Sequence, residues 1–272
     1  TLKKTCGKAA FYAAIIVICL IMVTPVYLLA KVSFSVKSEI LTQHPTLLIH
    51  QFTWEHWLNV FRSGNLWAPL KKSLIVSCLT TVGSLVIVVP AAYVVSRMSK
   101  KKRYAFVLGL FFTRMIPSVA IALPISVTFL KMNLIDTSLG LVLANMITQI
   151  PFMAWILVST FAEVPVALDE AAWIDGASRL QAIVKVILPV SMQGIAVSAM
   201  YVWLNAWNEF TYAMYLSNNS KTLPLQIYYY VSRGNVFERA AYSTILAIPV
   251  ILVTFVLQRY LKPDYLGGSV KG

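Results

Sequence analysis

Residues 169–180 read DEAAWIDGASRL. This short polar segment separates two long apolar runs, 139–161 and 187–216, and the contrast sets the reading of the whole chain. Of 272 residues, 58 % are hydrophobic and 12 % charged, and the mean hydropathy is +0.74. A soluble domain carries about 25 % charged residues, so water does not solvate most of this surface. A membrane β-barrel needs alternating strands of about ten residues, whereas the apolar runs here are continuous and about twenty long. The fold class is therefore an all-α polytopic membrane protein.

Six transmembrane helices are expected, at roughly 9–30, 72–96, 105–130, 139–161, 187–216 and 241–260. The first is too apolar for too long to be a signal peptide, and no small-residue cleavage site follows it. Thr1 stands where an initiator methionine is expected, which implies that residues precede it. An even number of spans puts both termini on one side. Lys3, Lys4 and Lys8, the SRMSKKKR cluster at 96–103, Arg179, Lys185, Arg259, Lys262 and Lys271 concentrate positive charge there, and positive loops stay cytoplasmic. The net charge of +13 is read this way and not as a nucleic-acid interface. Neither a repeat nor a low-complexity linker is visible, so residues 1–272 are expected to form one membrane domain with a core at about 66–260.

The long outer loop, 31–71, carries Trp54, Trp57 and Trp67, which suit an interfacial belt. His44, His50 and His56 recur every six residues, a spacing that does not share a helix face, so no metal site is assigned. Cys6, Cys19 and Cys78 make neither a disulfide framework nor a metal knuckle. The second outer loop, 217–240, is polar and aromatic. No G-x-x-x-x-G-K-[ST] run is present to hold a nucleotide, and no catalytic residues are assigned.

Four of the ten acids, Glu163, Asp169, Glu170 and Asp175, cluster in 163–175. Pro165 suits a first helical turn, and Asp169 and Glu170 suit the positive end of a helix dipole. Gly176 and Arg179 suit its end. A helix over about 165–178 follows, with an acidic face and a small-residue face. It lies on the lipid interface, packs on its own protein, or docks a separate protein with a basic cleft. An anionic leaflet repels an acidic face, and Ala171 and Ala172 permit close approach.

Polar residues within spans mark a pathway or an interhelical contact. Tyr201, Asn205, Asn208, Glu209 and Tyr212 fall mostly three or four apart and form one stripe. Amides and aromatic rings suit a sugar, and the same residues suit helix–helix glue. Arg114 lies in the third span near Pro117 and Pro124. It faces the pathway, where it favours an acidic sugar such as a uronate oligosaccharide, or pairs with an acid. Asn145 and Gln149 are four apart and suit the same cavity.

The chain resembles the ABC importer permeases. Their signature, E-A-A, three residues, G, nine residues, I-x-L-P, reads here Glu170-Ala171-Ala172, Gly176, then Val186-x-Leu188-Pro189. TRMIP (113–117), WNEF (207–210), TLPL (222–225) and GGSVKG (267–272) point to the carbohydrate-uptake branch and to its maltose-permease G-type subunits. The resemblance implies a type I importer transmembrane domain whose 165–178 segment is a cytoplasmic coupling helix. Glu170, Ala171, Ala172, Asp175, Gly176, Leu188 and Pro189 then form the ATPase-docking set, with Glu170 meeting a basic group and Gly176 turning the chain. The implied partners are two ATPase subunits, which hold ATP and Mg, a second and different permease subunit, an extracytoplasmic solute-binding protein touched by 217–240, and the lipid bilayer. No cofactor is implied in this chain, and its tail reaches toward the ATPases. The implied place is a bacterial cytoplasmic (inner) membrane. An acidic-sugar or glycerol-phosphate permease remains open, as does a membrane enzyme or scaffold.

Overall fold

Helices account for every regular element among the described residues of the computed structural model, which are 2–233 and 235–261. They are α1 (Leu2–Phe34), α2 (Lys37–Ile40), α3 (Glu55–Arg62), α4 (Trp67–Ser96), α5 (Lys100–Thr113), α6 (Ser118–Lys131), α7 (Ser138–Glu163), α8 (Val166–Ile174), α9 (Arg179–Ala182), α10 (Leu188–Val190), α11 (Met192–Trp207), α12 (Thr211–Leu216), α13 (Leu223–Arg233) and α14 (Val236–Leu261). A single π-helical turn, Ile183–Ile187, joins α9 to α10. Among the described residues, four stretches are long and apolar enough to cross a membrane unbroken: Phe11–Phe34, Trp67–Ser96, Ser138–Glu163 and Val236–Val256.

The other two expected spans, 105–130 and 187–216, are not continuous helices. The α5/α6 pair bends by 79° and the segment pair Arg179–Val190/Met192–Trp207 by 80°; with each pair counted once, the spans number six. Proline explains the first break, and the second bend falls at Ser191, two residues beyond Pro189. Pro117 has no N–H to donate and disfavours helical backbone at Ile116. It sits in extended conformation at the start of α6, and Arg114 and Met115 make tight bonds back to Phe111 and Phe112. Pro189 likewise cannot donate into the preceding turn, which widens to the π form. The expected span 187–216 breaks again at Asn208–Phe210, between α11 and α12.

The chain divides into two compact units, one of residues 1–67 and 226–249, the other of 68–225 and 250–272. In the first, Phe34 and Trp54 each pack against Phe52, Trp57 and one another, with ring centroids 4.9–6.2 Å apart. Trp57 is buried, and its indole N–H donates to Ser33 Oγ. His56 is a core histidine: it is buried, stacks on Phe237, and its Nε2 lies 3.1 Å from the Ser35 carbonyl. Among the described residues, no three metal-binding side chains gather.

In the second unit, buried side chains form two clusters along α4. Val76, Phe129, Leu141, Met146 and Tyr212 belong to one, and Val88, Ala92, Val95, Leu157 and Phe161 to the other. Helix α11 crosses α7 so closely that a Cβ at Gly194 would lie 2.1 Å from Thr160 Oγ1. Small residues let backbones approach this way where lipid offers no hydrophobic drive.

Near the start of α4, buried Lys72 donates to Ser217 Oγ at 3.3 Å and to the Ser220 carbonyl. Asp136 Oδ1 accepts the N–H groups of Asn219 and Ser220 at 2.9 and 3.2 Å, and Ser73 Oγ accepts from Leu223 N–H. The loop 217–222 is thus fastened to α4 and to the α6–α7 turn. Burial pushes the Asp136 carboxyl up, and the N–H groups of Ser220, Asn219 and Asn218 outweigh it, so the acid titrates below its ordinary value. A depressed carboxylate contributes stability above its ordinary value of 3.8 and loses it as pH falls through the folded value. We expect Asp136→Asn to lower the melting temperature in detergent by about 2–4 °C at pH 7, and the gap from wild type to close as pH is lowered below 3.8. A gap that does not change with pH would show that the fastening does not depend on the charge.

Candidate functional site

Two places in the second unit gather polar chemistry. The first is a cleft of about 430 Å³ at the breaks by Pro117 and by Asn208–Phe210, lined among others by Arg114, Ser118, Thr148, Gln149, Asn205, Asn208, Glu209, Phe210, Thr211 and Tyr212. Six of the eight residues expected on a pathway therefore meet. Tyr201 stands behind them, its hydroxyl 3.3 Å from Arg114 Nη1 and its ring 4.0 Å from that of Phe152. Asn145 does not line the cleft: it is buried and donates to the Leu141 carbonyl of its own helix. Ser118, Thr148, Phe210 and Thr211 were not read from the sequence. Hydroxyls carry little hydropathy signal, although Ser118 directly follows the break at Pro117.

Each side chain arrives by a local cause. Arg114 caps the end of α5, where the helix stops before Pro117, so the break holds a cation in mid-span. Its guanidinium lies over the Phe152 ring at 5.8 Å, and no carboxylate lies within ion-pair distance among the described residues. Glu209 is engaged otherwise. Its two oxygens accept the N–H groups of Tyr212 and Ala213 at 2.6 and 3.0 Å, capping α12. Asn205 and Asn208 each donate at 2.8 Å to a carbonyl one turn back. Gln149 Oε1 is buried with no hydrogen-bond partner among the described residues. The cleft thus offers amides, hydroxyls, an aromatic ring and one unpaired cation.

The second place is α8. Pro165 precedes it in extended backbone, and its end is a Schellman turn: Ala177 N–H bonds to Ala172 O, Gly176 N–H to Trp173 O, and Gly176 takes φ +85°. The expected acidic face does not form. Asp169 points inward at 1 % exposure, together with Ala172, whereas Glu170, Ala171, Asp175 and Gly176 are exposed. Trp173 and Ile174, 42 % and 85 % exposed, make the outer surface largely apolar. Helical periodicity explains the split: Asp169 and Ala172 are three apart, and Glu170 and Ile174 share the other side. Leu188 packs on the second core cluster and Pro189 is exposed, both beyond the π turn. The sequence reading missed what holds Asp169: Arg97 Nε lies 2.8 Å from its Oδ2, and Tyr93 OH donates to its Oδ1 at 3.0 Å. The GGSVKG tail lies outside the described residues.

Residues 83–266 match the model of the family described as binding-protein-dependent transport system inner membrane component. The chain belongs to that family. It is 28 % identical over 280 residues to the inner membrane ABC transporter permease protein YcjP of Escherichia coli (strain K12), covering 100 % of this chain and 99 % of the relative. It is 31 % identical over 239 residues to the trehalose/maltose transport system permease protein MalG of Thermococcus litoralis, covering 83 % of this chain and 84 % of the relative. A crystal structure of a bacterial ABC transporter involved in the import of the acidic polysaccharide alginate contains a chain of the same fold, with TM-score 0.80 and 21 % identity, covering 96 % of this chain and 99 % of that one. The type I importer fold and the role of a transport subunit in the inner membrane, crossing it several times, follow.

Capping by Glu209 leads to a direct expectation. Glu209→Ala removes both acceptors at the start of α12 and lowers unfolding stability by about 1–2 kcal/mol. Glu209→Gln keeps one acceptor oxygen and loses less. Thermal unfolding of the purified protein in detergent checks the order; equal stability in all three would leave the cap without weight.

Proposed function

We propose that this chain is the permease subunit of an ATP-driven, binding-protein-dependent importer for an oligosaccharide, working by alternating access and coupled to a separate ATPase through α8. The observation that carries the proposal is the cleft at two helix breaks. Irregular backbone at membrane depth is tolerated where it is buried in protein or lines a cavity, and transporters bind solutes at broken helices. A lining of amides, hydroxyls and Phe210 matches sugar hydroxyls and apolar ring faces. The trehalose/maltose name of the Thermococcus relative supports the substrate class.

The wider arrangement belongs to the same proposal. The whole chain acts as one transmembrane domain with both termini cytoplasmic, a side chosen by the SRMSKKKR charge. Two ATPase subunits hold ATP and Mg, a second and different permease completes the pore, and an extracytoplasmic binding protein delivers solute at the 217–240 side. The docking set is Glu170, Ala171, Ala172, Asp175 and Gly176, with Leu188 and Pro189 at the hinge behind it; the exposed residues of the set sit on the outer side of α8 beside Ile174. A second reading of the solute rests on Arg114, which lacks a carboxylate partner among the described residues and suits an acidic sugar.

Proteoliposomes holding the complete importer test both. Asn205→Ala is expected to reduce uptake about tenfold while leaving subunit assembly intact, as loss of one or two hydrogen bonds to a bound sugar implies; parallel loss of assembly would identify the stripe as interhelical glue. Arg114→Gln is expected to abolish preference for a uronate oligosaccharide over its neutral counterpart if the solute is acidic, and to leave that preference unchanged if it is neutral. Glu170→Lys and Gly176→Asp are expected to release the ATPase on purification with the spans still folded. Normal retention by both would refute docking through α8.

A further inference from the structure

Helix α8 buries only two side chains, Asp169 and Ala172. Asp169 ends in a knot of charge that docking does not require. Arg97, one residue beyond the end of α4, reaches it with Nε at 2.8 Å; the side-chain exposures are 17 % for Arg97 and 1 % for Asp169. Tyr93, one turn earlier on α4, donates to the other carboxylate oxygen at 3.0 Å. Arg97 Nη1 donates to the carbonyls of Phe161 and Val164, at 2.9 and 3.0 Å, where α7 ends. One guanidinium thus joins the end of α4, the end of α7 and the inner face of α8.

Stability alone does not account for such a group. Desolvating two charges offsets most of their attraction, and an apolar replacement of similar size often does as well. What a buried ion pair provides is fixed geometry between the elements that carry it. The sequence places Asp169 next to Glu170, and the helix turns them to opposite sides, one inward to Arg97 and the other outward. A push on the outer side of α8 therefore has a short, stiff route to α4 and α7. The contact also has room to change. Nε meets Oδ2 at ion-pair distance without the alignment of a hydrogen bond, and Nη2 is buried with no acceptor among the described residues. Donors remain for a second registry of the same two side chains, as a two-state element requires.

We infer that Arg97, Asp169 and Tyr93 form a positioning joint that transmits the movement of α8 to α4 and α7. The inference rests on the reading of α8 as the ATPase-docking helix. Its readout is therefore the ratio of solute transported to ATP hydrolysed, measured in proteoliposomes on complexes that retain their ATPase. Asp169→Asn keeps the shape and removes the charge, Arg97→Lys keeps the charge and removes the fork, and Tyr93→Phe removes one hydroxyl. The first two are expected to keep the ATPase bound and hydrolysing while the ratio falls about tenfold, within the usual range of coupling between sites. Tyr93→Phe is expected to lower it less, and to add nothing once Asp169→Asn is present. The exchanged pair Arg97→Asp with Asp169→Arg is expected to recover part of the loss.

An unchanged ratio in Asp169→Asn and Tyr93→Phe overturns the joint, whatever α8 docks. Loss of the ATPase from both Asp169→Asn and Tyr93→Phe also overturns it, since the group would then be a folding or docking determinant. Should Asp169→Asn fail to assemble, Tyr93→Phe, which keeps both charges, decides by its ratio alone. Failure of the docking reading looks different: Glu170→Lys and Gly176→Asp would keep the ATPase.

Discussion

A helix that stops inside a hydrocarbon layer leaves N–H and C=O groups with no water to take them. The chain accepts that penalty in two of its six spans, and most of its functional geometry follows from where it does so. The break at Pro117 brings Arg114 to mid-span at the end of α5. The break at Asn208–Phe210 turns Glu209 back to cap α12. The cleft occupies the space that these interruptions open, so the same residues that repair the backbone also furnish its lining. A continuous helix through either position would fill the space and remove the reason for the polar stripe.

The other end of α4 solves a related problem by charge. Helix α8 has too little apolar surface facing the bundle to hold itself in place by burial. Asp169 and Arg97 supply a fixed point, while the Schellman turn at Gly176 and the extended backbone at Pro165 set the two ends. The outer surface is left free of this work, which suits a segment whose exposed side meets another protein.

Hydropathy alone made the six apolar runs legible, because a twenty-residue window is long compared with any local irregularity. The same averaging hid the interruptions. At TRMIP the proline reads as loosening the helix, not stopping it, and WNEF carries no such sign. The stripe from Tyr201 to Tyr212 was legible through its spacing, and Arg114 and Gln149 joined it because polar residues in apolar runs are rare. Asn145 carried the same signal, and its Nδ2 donates within its own helix, away from the cleft. Contacts between distant segments left no local trace. Arg97 looked like one more topogenic charge, and Asp169 like an anion near a helix start. Only the fold brings them together and adds Tyr93, 76 positions before Asp169 in the chain. His56 shows the converse: a regular spacing of histidines drew notice, and the fold makes this one a stacking partner for Phe237.

The outward side of α8 has a consequence for the life of the subunit before assembly. Ile174 and Trp173 sit outside the spans with most or much of their surface uncovered. Apolar side chains clustered in water are an invitation to nonspecific association. A copy inserted into the bilayer ahead of its partners would display them to any passing hydrophobic surface, chaperone or protease. The abundance of the subunit should then follow the supply of whatever covers that helix, and synthesis in excess should end in turnover and not in accumulation.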